Sequence, residues 1–185
     1  MLSGLAILQT ITIILEINTI AKANGALREG VLYDLFQNKN KKIMDKKNIL
    51  FLCTGNSARS ILSEVITNTF YGDKFIGFSA GSQPTGKINQ GVLTFCKELG
   101  YPVEKLYSKS WDVFLEKESP QIDVLITVCD SAAKEVCPIW PNKMDMIHWG
   151  LADPVGEKDK KKLILSINQL YEKIDSNLKY LYEKY

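Results

Sequence analysis

The stretch ILFLCTGNSARS at residues 49–60 decides the fold of this chain. Its first four residues are all apolar, which is typical of a parallel strand covered on both faces. An apolar face at helical spacing follows the stretch, formed by Ile61, Leu62, Val65 and Ile66. A strand, a short polar loop and a helix therefore succeed one another, and this order predicts a parallel α/β sheet.

The loop between this strand and helix predicts a binding site for a tetrahedral oxyanion. Its backbone N–H groups and the N-terminus of the helix would face the anion, and the planar fork of Arg59 grips two anion oxygens. The same positive fields favour the thiolate of Cys53, the nucleophilic form. Cys53 is the predicted nucleophile, and the predicted oxyanion-binding residues are Thr54, Gly55, Asn56, Ser57, Ala58, Arg59 and Ser60.

Two residues of this loop have more specific predicted roles. Ser60 donates a hydrogen bond to the Cys53 thiolate, and the side-chain amide of Asn56 braces the loop. The alternative interpretation of the whole motif is a buried structural cysteine beside a surface arginine.

Composition narrows the class of protein. The 185 residues are 45% hydrophobic and 24% charged, which suits one ordinary globular domain with an extension. A net charge of +2 without a basic stripe predicts no nucleic-acid partner. Four cysteines without a signal peptide predict reactive thiols in a reducing, cytoplasmic compartment. The one histidine, His148, and the cysteine spacings resemble no zinc finger or ribbon, so no metal site is predicted.

Three segments are predicted along the chain. Residues 1–36 form a helical extension; polar residues interrupt its apolar start, so neither a signal peptide nor a membrane span is expected. Residues 37–47 form a lysine-rich linker, and residues 48–185 form the main domain.

Within the main domain, further strands are predicted at 75–79, 124–128 and 146–149. Helices are predicted at 89–99 and from Asp159 onward, with a short helix capped by Ser110. The alternation predicts a small four-stranded parallel sheet with helices on both faces. Because ligands bind at the carboxyl ends of parallel strands, Cys53, Cys129 and Asp153 are expected to converge there.

Additional thiols favour redox chemistry over simple hydrolysis. Seven residues separate Cys129 from Cys137, and one thiolate can attack while the next displaces it as a disulfide. The alternative is that both cysteines are inert core residues, as Cys96 is expected to be. Asp153 precedes Pro154 and would protonate a leaving oxygen. His148, Trp149 and Trp140 are interpreted as packing residues.

From about residue 47 onward, the chain resembles arsenate reductases built on the low-molecular-weight tyrosine phosphatase fold. The matching stretches are CTGNSARS at 53–60, AGSQPTGKIN at 80–89, SWDVF at 110–114, ITVCDSAAKEVCPIWP at 126–141 and HWGLADP at 148–154. The resemblance implies an oxidoreductase of arsenical resistance and detoxification.

The resemblance also implies a mechanism and partners. Cys53 attacks arsenate held by the loop and Arg59, Asp153 protonates the departing oxygen, Cys129 releases arsenite as a disulfide, and Cys137 resolves it. Thioredoxin-coupled relatives have six residues between the last two cysteines, so the donor is open between thioredoxin and glutaredoxin with glutathione. No tightly bound cofactor is expected, and the protein is expected to be a monomer without a membrane partner.

Two alternatives use the same residues. The first is a low-molecular-weight protein tyrosine phosphatase with Cys53, Arg59 and Asp153. Phosphatases of this fold usually carry aromatic residues shortly after the Asp-Pro pair and a second loop cysteine, where this chain has Val155 and Ala58. The second is a non-catalytic thiol redox or arsenic-sensing module, which would need no general acid.

The N-terminal extension has a resemblance of its own. Residues 3–36, with the motif GALREGVLYDL at 25–35, resemble the C-terminal tail of the exopolyphosphatase and guanosine pentaphosphate phosphatase family. The stretch is interpreted as a gene-fusion remnant, and Met44 as the start of the functional unit.

Overall fold

The computed structural model describes residues 46–134, 138–140, 142–156 and 159–185. These residues form β1 (Lys47–Cys53), α1 (Arg59–Phe70), β2 (Phe75–Gly81), α2 (Gln90–Glu98), β3 (Val124–Thr127), α3 (Asp130–Lys134), β4 (Asp145–His148) and α4 (Lys160–Lys184). Two 3-10 helices, Val103–Lys105 and Trp111–Phe114, lie between α2 and β3.

The four strands form one parallel sheet in the order β2-β1-β3-β4. In this register Cys53 at the end of β1 pairs with Gly81 at the end of β2, and Leu52 pairs with Thr127 at the end of β3. The parallel sheet predicted from the sequence is confirmed. The carboxyl ends of β1, β2 and β3 lie at the same edge of the sheet. At this edge the oxyanion loop follows β1, and Cys129 follows β3.

Both faces of β1 are buried, which explains its continuous apolar sequence. Ile49 and Phe51 belong to a large core cluster together with residues of α1, α2 and α4. Leu50 and Leu52 belong to a second cluster that contains Phe114 of the 3-10 helix. Because successive strand residues point to opposite faces, this division is the expected consequence of helices covering both sides of the sheet.

Side-chain caps begin the predicted helices. The Asn89 side chain accepts hydrogen bonds from two backbone amides at the start of α2, and Asp159 does the same for α4. Ser110 accepts from the backbone N–H of Asp112, so its predicted capping role is confirmed. The short helix α3 was missed because its five residues carry too little apolar periodicity to be recognised.

Some predictions fall outside the described residues. These are the helical extension at 1–36, all of the linker except Lys46 and Lys47, and the cysteine at position 137. Lys47 itself belongs to β1, which begins two residues before the predicted strand. Within the part of the chain that the structure describes, no helix is both long and apolar enough to cross a bilayer.

Candidate active site

The oxyanion loop joins the end of β1 to the start of α1, as predicted. Gly81 lies beside it, and a Cβ atom at that position would meet the Thr54 carbonyl oxygen at 2.5 Å. Only glycine therefore permits this close approach of β2 to the loop. The backbone of the oxyanion loop therefore packs directly against the end of β2.

The sulfur of Cys53 is buried, with the residue 4% exposed, and two groups of the loop contact it. The backbone N–H of Asn56 donates to Sγ at 3.0 Å, and Ser60 Oγ lies 3.0 Å from Sγ. Ser60 Oγ accepts a hydrogen bond from the Asn56 side-chain amide, which leaves the serine proton free for the sulfur. The predicted contact of Ser60 with Cys53 is confirmed, and both groups can donate a hydrogen bond to the sulfur.

Asn56 holds the loop in shape. Its φ angle is +42°, in the left-handed region that asparagine tolerates better than most residues. Its Nδ2 donates to Ser60 Oγ at 2.9 Å and to Ser79 Oγ at 3.0 Å, while Oδ1 accepts from the backbone N–H of Lys109 at 2.8 Å. The predicted bracing by Asn56 is confirmed, and it joins the loop to β2 and to the segment before the second 3-10 helix.

A buried ion pair that was not predicted from the sequence continues this network. Ser79 Oγ donates to Glu64 Oε2, and Lys109 Nζ lies 3.6 Å from the same oxygen. Burial raises the pKa of Glu64, and the nearby Lys109 ammonium opposes that rise. The one available signal was an acidic residue within the apolar helix pattern of α1.

Arg59 and Asp153 meet at the loop. Arg59 Nη2 donates to Asp153 Oδ2 at 2.7 Å, and Nη1 reaches the Leu151 carbonyl oxygen at 3.4 Å. The second oxygen of Asp153 accepts from the backbone N–H of Val155 at 3.0 Å. The turn after β4 is thereby held over the start of α1, where the sequence predicted an acid to act.

Cys129 lies against the oxyanion loop. Its sulfur is 3.7 Å from Thr54 Oγ1 and accepts a hydrogen bond from the Ala132 backbone N–H at 3.3 Å. The residue is only 2% exposed. A second buried thiol therefore stands next to the loop that carries Cys53.

Unlike Cys53 and Cys129, which lie at or just after the ends of strands, Cys96 lies inside helix α2. It is fully buried in α2, and burial, with a smaller contribution from the charge of Glu64, raises its pKa to about 12. A thiol of this kind stays protonated and unreactive at neutral pH. Its predicted role as a core residue is confirmed.

The aromatic packing predictions hold, and the prediction for His148 is wrong. Trp149 is 9% exposed and its ring lies 5.6 Å from that of Phe51, and Trp140 packs against the second core cluster. His148 instead has an exposed side chain that hydrogen-bonds Thr127 and Asp130. The sequence of an edge strand does not distinguish a terminal histidine that packs into the core from one that forms hydrogen bonds at the surface.

A family model for low molecular weight phosphotyrosine protein phosphatases matches residues 48–184. The chain belongs to this family. The fold predicted from the sequence is therefore confirmed, and the loop, arginine and aspartate described above lie within the matched region.

Within this family the chain is similar to proteins named arsenate reductase. That of Halalkalibacterium halodurans is 37% identical over 111 residues, which are 60% of this chain and 76% of that protein. That of Brevibacillus brevis is 36% identical over 114 residues, which are 62% of this chain and 81% of that protein. The resemblance to arsenate reductases inferred from the motifs is thus confirmed.

Solved structures agree on the fold. The thioredoxin-dependent arsenate reductase of Corynebacterium glutamicum superposes with a TM-score of 0.55 at 25% identity, over 84% of this chain and 70% of that one. The low molecular weight protein tyrosine phosphatase of T. tengcongensis superposes with a TM-score of 0.57 at 20% identity, over 73% of this chain and 99% of that one. The second likeness shows the shared fold alone.

Proposed function

We propose that this chain reduces arsenate to arsenite through a relay of cysteine thiols. The observation that carries the proposal is the second buried thiol, Cys129, beside the loop of the nucleophile Cys53. Hydrolysis of a phosphate ester needs only one thiol, whereas reduction of arsenic needs two electrons and therefore a pair. The arsenate reductase names of the curated relatives support the same conclusion.

In the first step the oxyanion loop binds arsenate through its backbone amides and Arg59. The Cys53 thiolate attacks arsenic, and an S–As bond forms. Asp153 donates a proton to the departing oxygen, which leaves as water. The hydrogen bonds from the Asn56 amide and Ser60 hold the sulfur ready for this attack.

In the second step the Cys129 thiolate attacks the sulfur of Cys53. The S–As bond breaks and its electron pair remains on arsenic, which is reduced from As(V) to As(III) and leaves as arsenite. The two sulfurs are oxidised to the Cys53–Cys129 disulfide, so the electrons balance.

Cys137 is proposed to resolve this disulfide. Its thiolate attacks Cys129, Cys53 leaves as a thiolate, and a Cys129–Cys137 disulfide remains. A thiol reductant, thioredoxin or glutaredoxin with glutathione, then restores both thiols. A cytoplasmic monomer suits this chemistry, since a reducing compartment keeps described thiols such as Cys53 and Cys129 free.

An anaerobic stoichiometry experiment tests the proposal. Fully reduced protein is mixed with arsenate, and free thiols and released arsenite are followed together. We expect two thiols to disappear for each arsenite released, because each product needs one electron pair. Cys129→Ser should abolish release, whereas the matched control Cys96→Ser should leave it intact.

Phosphatase activity is the second candidate, and membership of the phosphotyrosine phosphatase family favours it. It would use Cys53, Arg59 and Asp153 and leave Cys129 without a part in turnover. Steady hydrolysis of an aryl phosphate by wild-type protein, unchanged in Cys129→Ser and without any arsenite from arsenate, would replace our proposal. Binding of oxyanion without either reaction would point to a sensing module.

A further inference from the structure

A chain of hydrogen bonds beside Cys129 has no part in the reaction proposed above. Thr127 Oγ1 lies 2.9 Å from His148 Nδ1, and His148 Nε2 lies 3.2 Å from Asp130 Oδ1. Thr127 ends β3, His148 ends β4 and Asp130 begins α3. One imidazole ring therefore contacts the residue two positions before Cys129 and the residue directly after it.

The donors and acceptors of this chain follow from elementary chemistry. An ionised Asp130 carboxylate can only accept, so the neutral imidazole carries its proton on Nε2, and Nδ1 accepts the Thr127 hydroxyl proton. In the protonated ring, Nδ1 donates to the Thr127 oxygen and Nε2 still donates to Asp130. Both contacts persist in either state, so they do not require a particular charge on His148.

The short helix after Cys129, α3, depends on contacts with the rest of the fold for its position. Helix α3 has five residues, far fewer than an isolated helix needs for stability in water. Ala132 attaches it to the core, but Asp130, whose side chain is 79% exposed, is held by His148. The backbone N–H groups of Ala132 and Ala133 bond the sulfur and the carbonyl oxygen of Cys129, so movement of α3 would move the thiol.

We propose that His148 is a positioning residue for Cys129. By bridging Thr127 and Asp130 it fixes α3, and with it the sulfur, against Thr54 of the oxyanion loop. The inference rests on the proposed function only in that Cys129 is the second thiol of the relay. His148 touches neither the oxyanion nor a reacting sulfur in this account and acts through the segment that it holds.

Cysteine-specific alkylation tests the anchor without any arsenic chemistry. Reduced protein is treated with iodoacetamide, and peptide mass mapping gives a separate rate for each cysteine. We expect His148→Ala to speed alkylation of Cys129 about five-fold, the order expected for loss of the hydrogen bonds that His148 makes with Thr127 and Asp130. His148→Gln, which can still reach Asp130, should show a smaller rise.

The matched control is Tyr182→Phe. It removes a hydroxyl that donates to Asp73 at 2.7 Å, near the amino end of β2, and should leave Cys129 unchanged. Equal Cys129 rates in wild type and His148→Ala would overturn the proposal. A rise that includes the core thiol Cys96 would also overturn it, because it would mean general loosening of the fold.

The separate rates of arsenite release and of aryl phosphate hydrolysis give a second measurement. In His148→Ala, release of arsenite should slow while hydrolysis of an aryl phosphate at Cys53 stays at the wild-type rate. Equal slowing of both reactions would contradict a role specific to Cys129. If wild-type protein releases no arsenite, the proposed function fails, and the alkylation rates still decide the role of His148.

Discussion

Arg59 and Asp153 form a direct ion pair, with Nη2 of the arginine 2.7 Å from Oδ2 of the aspartate. The cation proposed to grip the oxyanion thus orients the acid proposed to serve the leaving oxygen. The two side chains are 17% and 45% exposed, and a pair this accessible is worth at most about 1 kcal/mol. An arriving oxyanion can therefore compete for Arg59 while the Val155 amide still holds Asp153.

Removal of the carboxyl group should separate binding from chemistry. In Asp153→Asn the amide oxygen can still accept from Arg59, but no proton is available for the leaving oxygen. We expect kcat for arsenite release to fall by about a hundred-fold or more, with phosphate affinity close to that of wild type. Fixed-time assays of released arsenite give kcat, and titration of the protein with phosphate gives the affinity.

The control for that variant is Asp112→Asn. Asp112 accepts a hydrogen bond from Ser110 at the start of a 3-10 helix, whereas the Arg59 guanidinium bonds Asp153 and Leu151 among the described residues. Its kcat should stay unchanged. An undiminished kcat in Asp153→Asn would mean that another group supplies the proton.

Substitutions of Asn56 should distinguish backbone strain from lost hydrogen bonds. Asn56→Ala removes three side-chain hydrogen bonds and keeps a Cβ at φ +42°, whereas Asn56→Gly removes the same hydrogen bonds and relieves the strain. We expect Asn56→Ala to be less stable than Asn56→Gly by about 1 kcal/mol in urea unfolding. Both should lose most activity, because Ser60 and Lys109 lose their partner.

Equal stabilities of the two Asn56 variants would show that the left-handed backbone carries no cost here. Wild-type activity in Asn56→Gly would show that the side-chain contacts do not organise the loop. The second result would leave only the Asn56 backbone N–H, which donates to Sγ, in the account of how Cys53 is held.

The Glu64–Lys109 pair should give the stability of the protein a distinct pH dependence. Burial raises the pKa of Glu64 above its ordinary value of 4.5, so between these two values the folded state binds more protons than the unfolded state. The contribution of Glu64 to stability is therefore full below pH 4.5 and is lost as pH rises through the raised pKa. Glu64→Gln should abolish this slope in urea unfolding measured across pH.

Removal of the Lys109 ammonium alone should strongly destabilise the folded protein. Lys109→Met leaves the Glu64 charge buried without its partner, and we expect a loss of about 3–5 kcal/mol at pH 7. The double variant Glu64→Gln with Lys109→Met should recover much of that loss, since it buries no charge. A Lys109→Met protein as stable as wild type would show that water already reaches Glu64.

The elements that surround Cys53 were predictable from sequence because they depend on local patterns. An apolar run, a polar loop and a helical face lie within twenty residues of one another, and Ser60 and Asn56 contact atoms of their own loop. Cys129 and Asp153 could be expected near the loop because parallel strands align their carboxyl ends.

The Glu64–Lys109 pair and the contacts of His148 were not predictable in the same way. Lys109 is 45 residues beyond Glu64. No hydrophobic periodicity in the sequence predicts that this loop residue will contact a side chain of α1. His148 reaches Asp130 because β4 lies next to β3, a neighbourhood set by the sheet order. Interactions of this kind depend on tertiary geometry, which single-sequence patterns leave open.

Residues 1–43 should be dispensable for activity. The family match begins at residue 48, and the sequence predicts that the functional unit starts at Met44. A protein that starts at Met44 should therefore keep the midpoint of urea unfolding and the arsenite release rate of the full chain. A large loss of turnover with the urea midpoint unchanged would mean that the extension takes part in catalysis. A loss of both would mean that it stabilises the domain, and the predicted boundary would then be wrong.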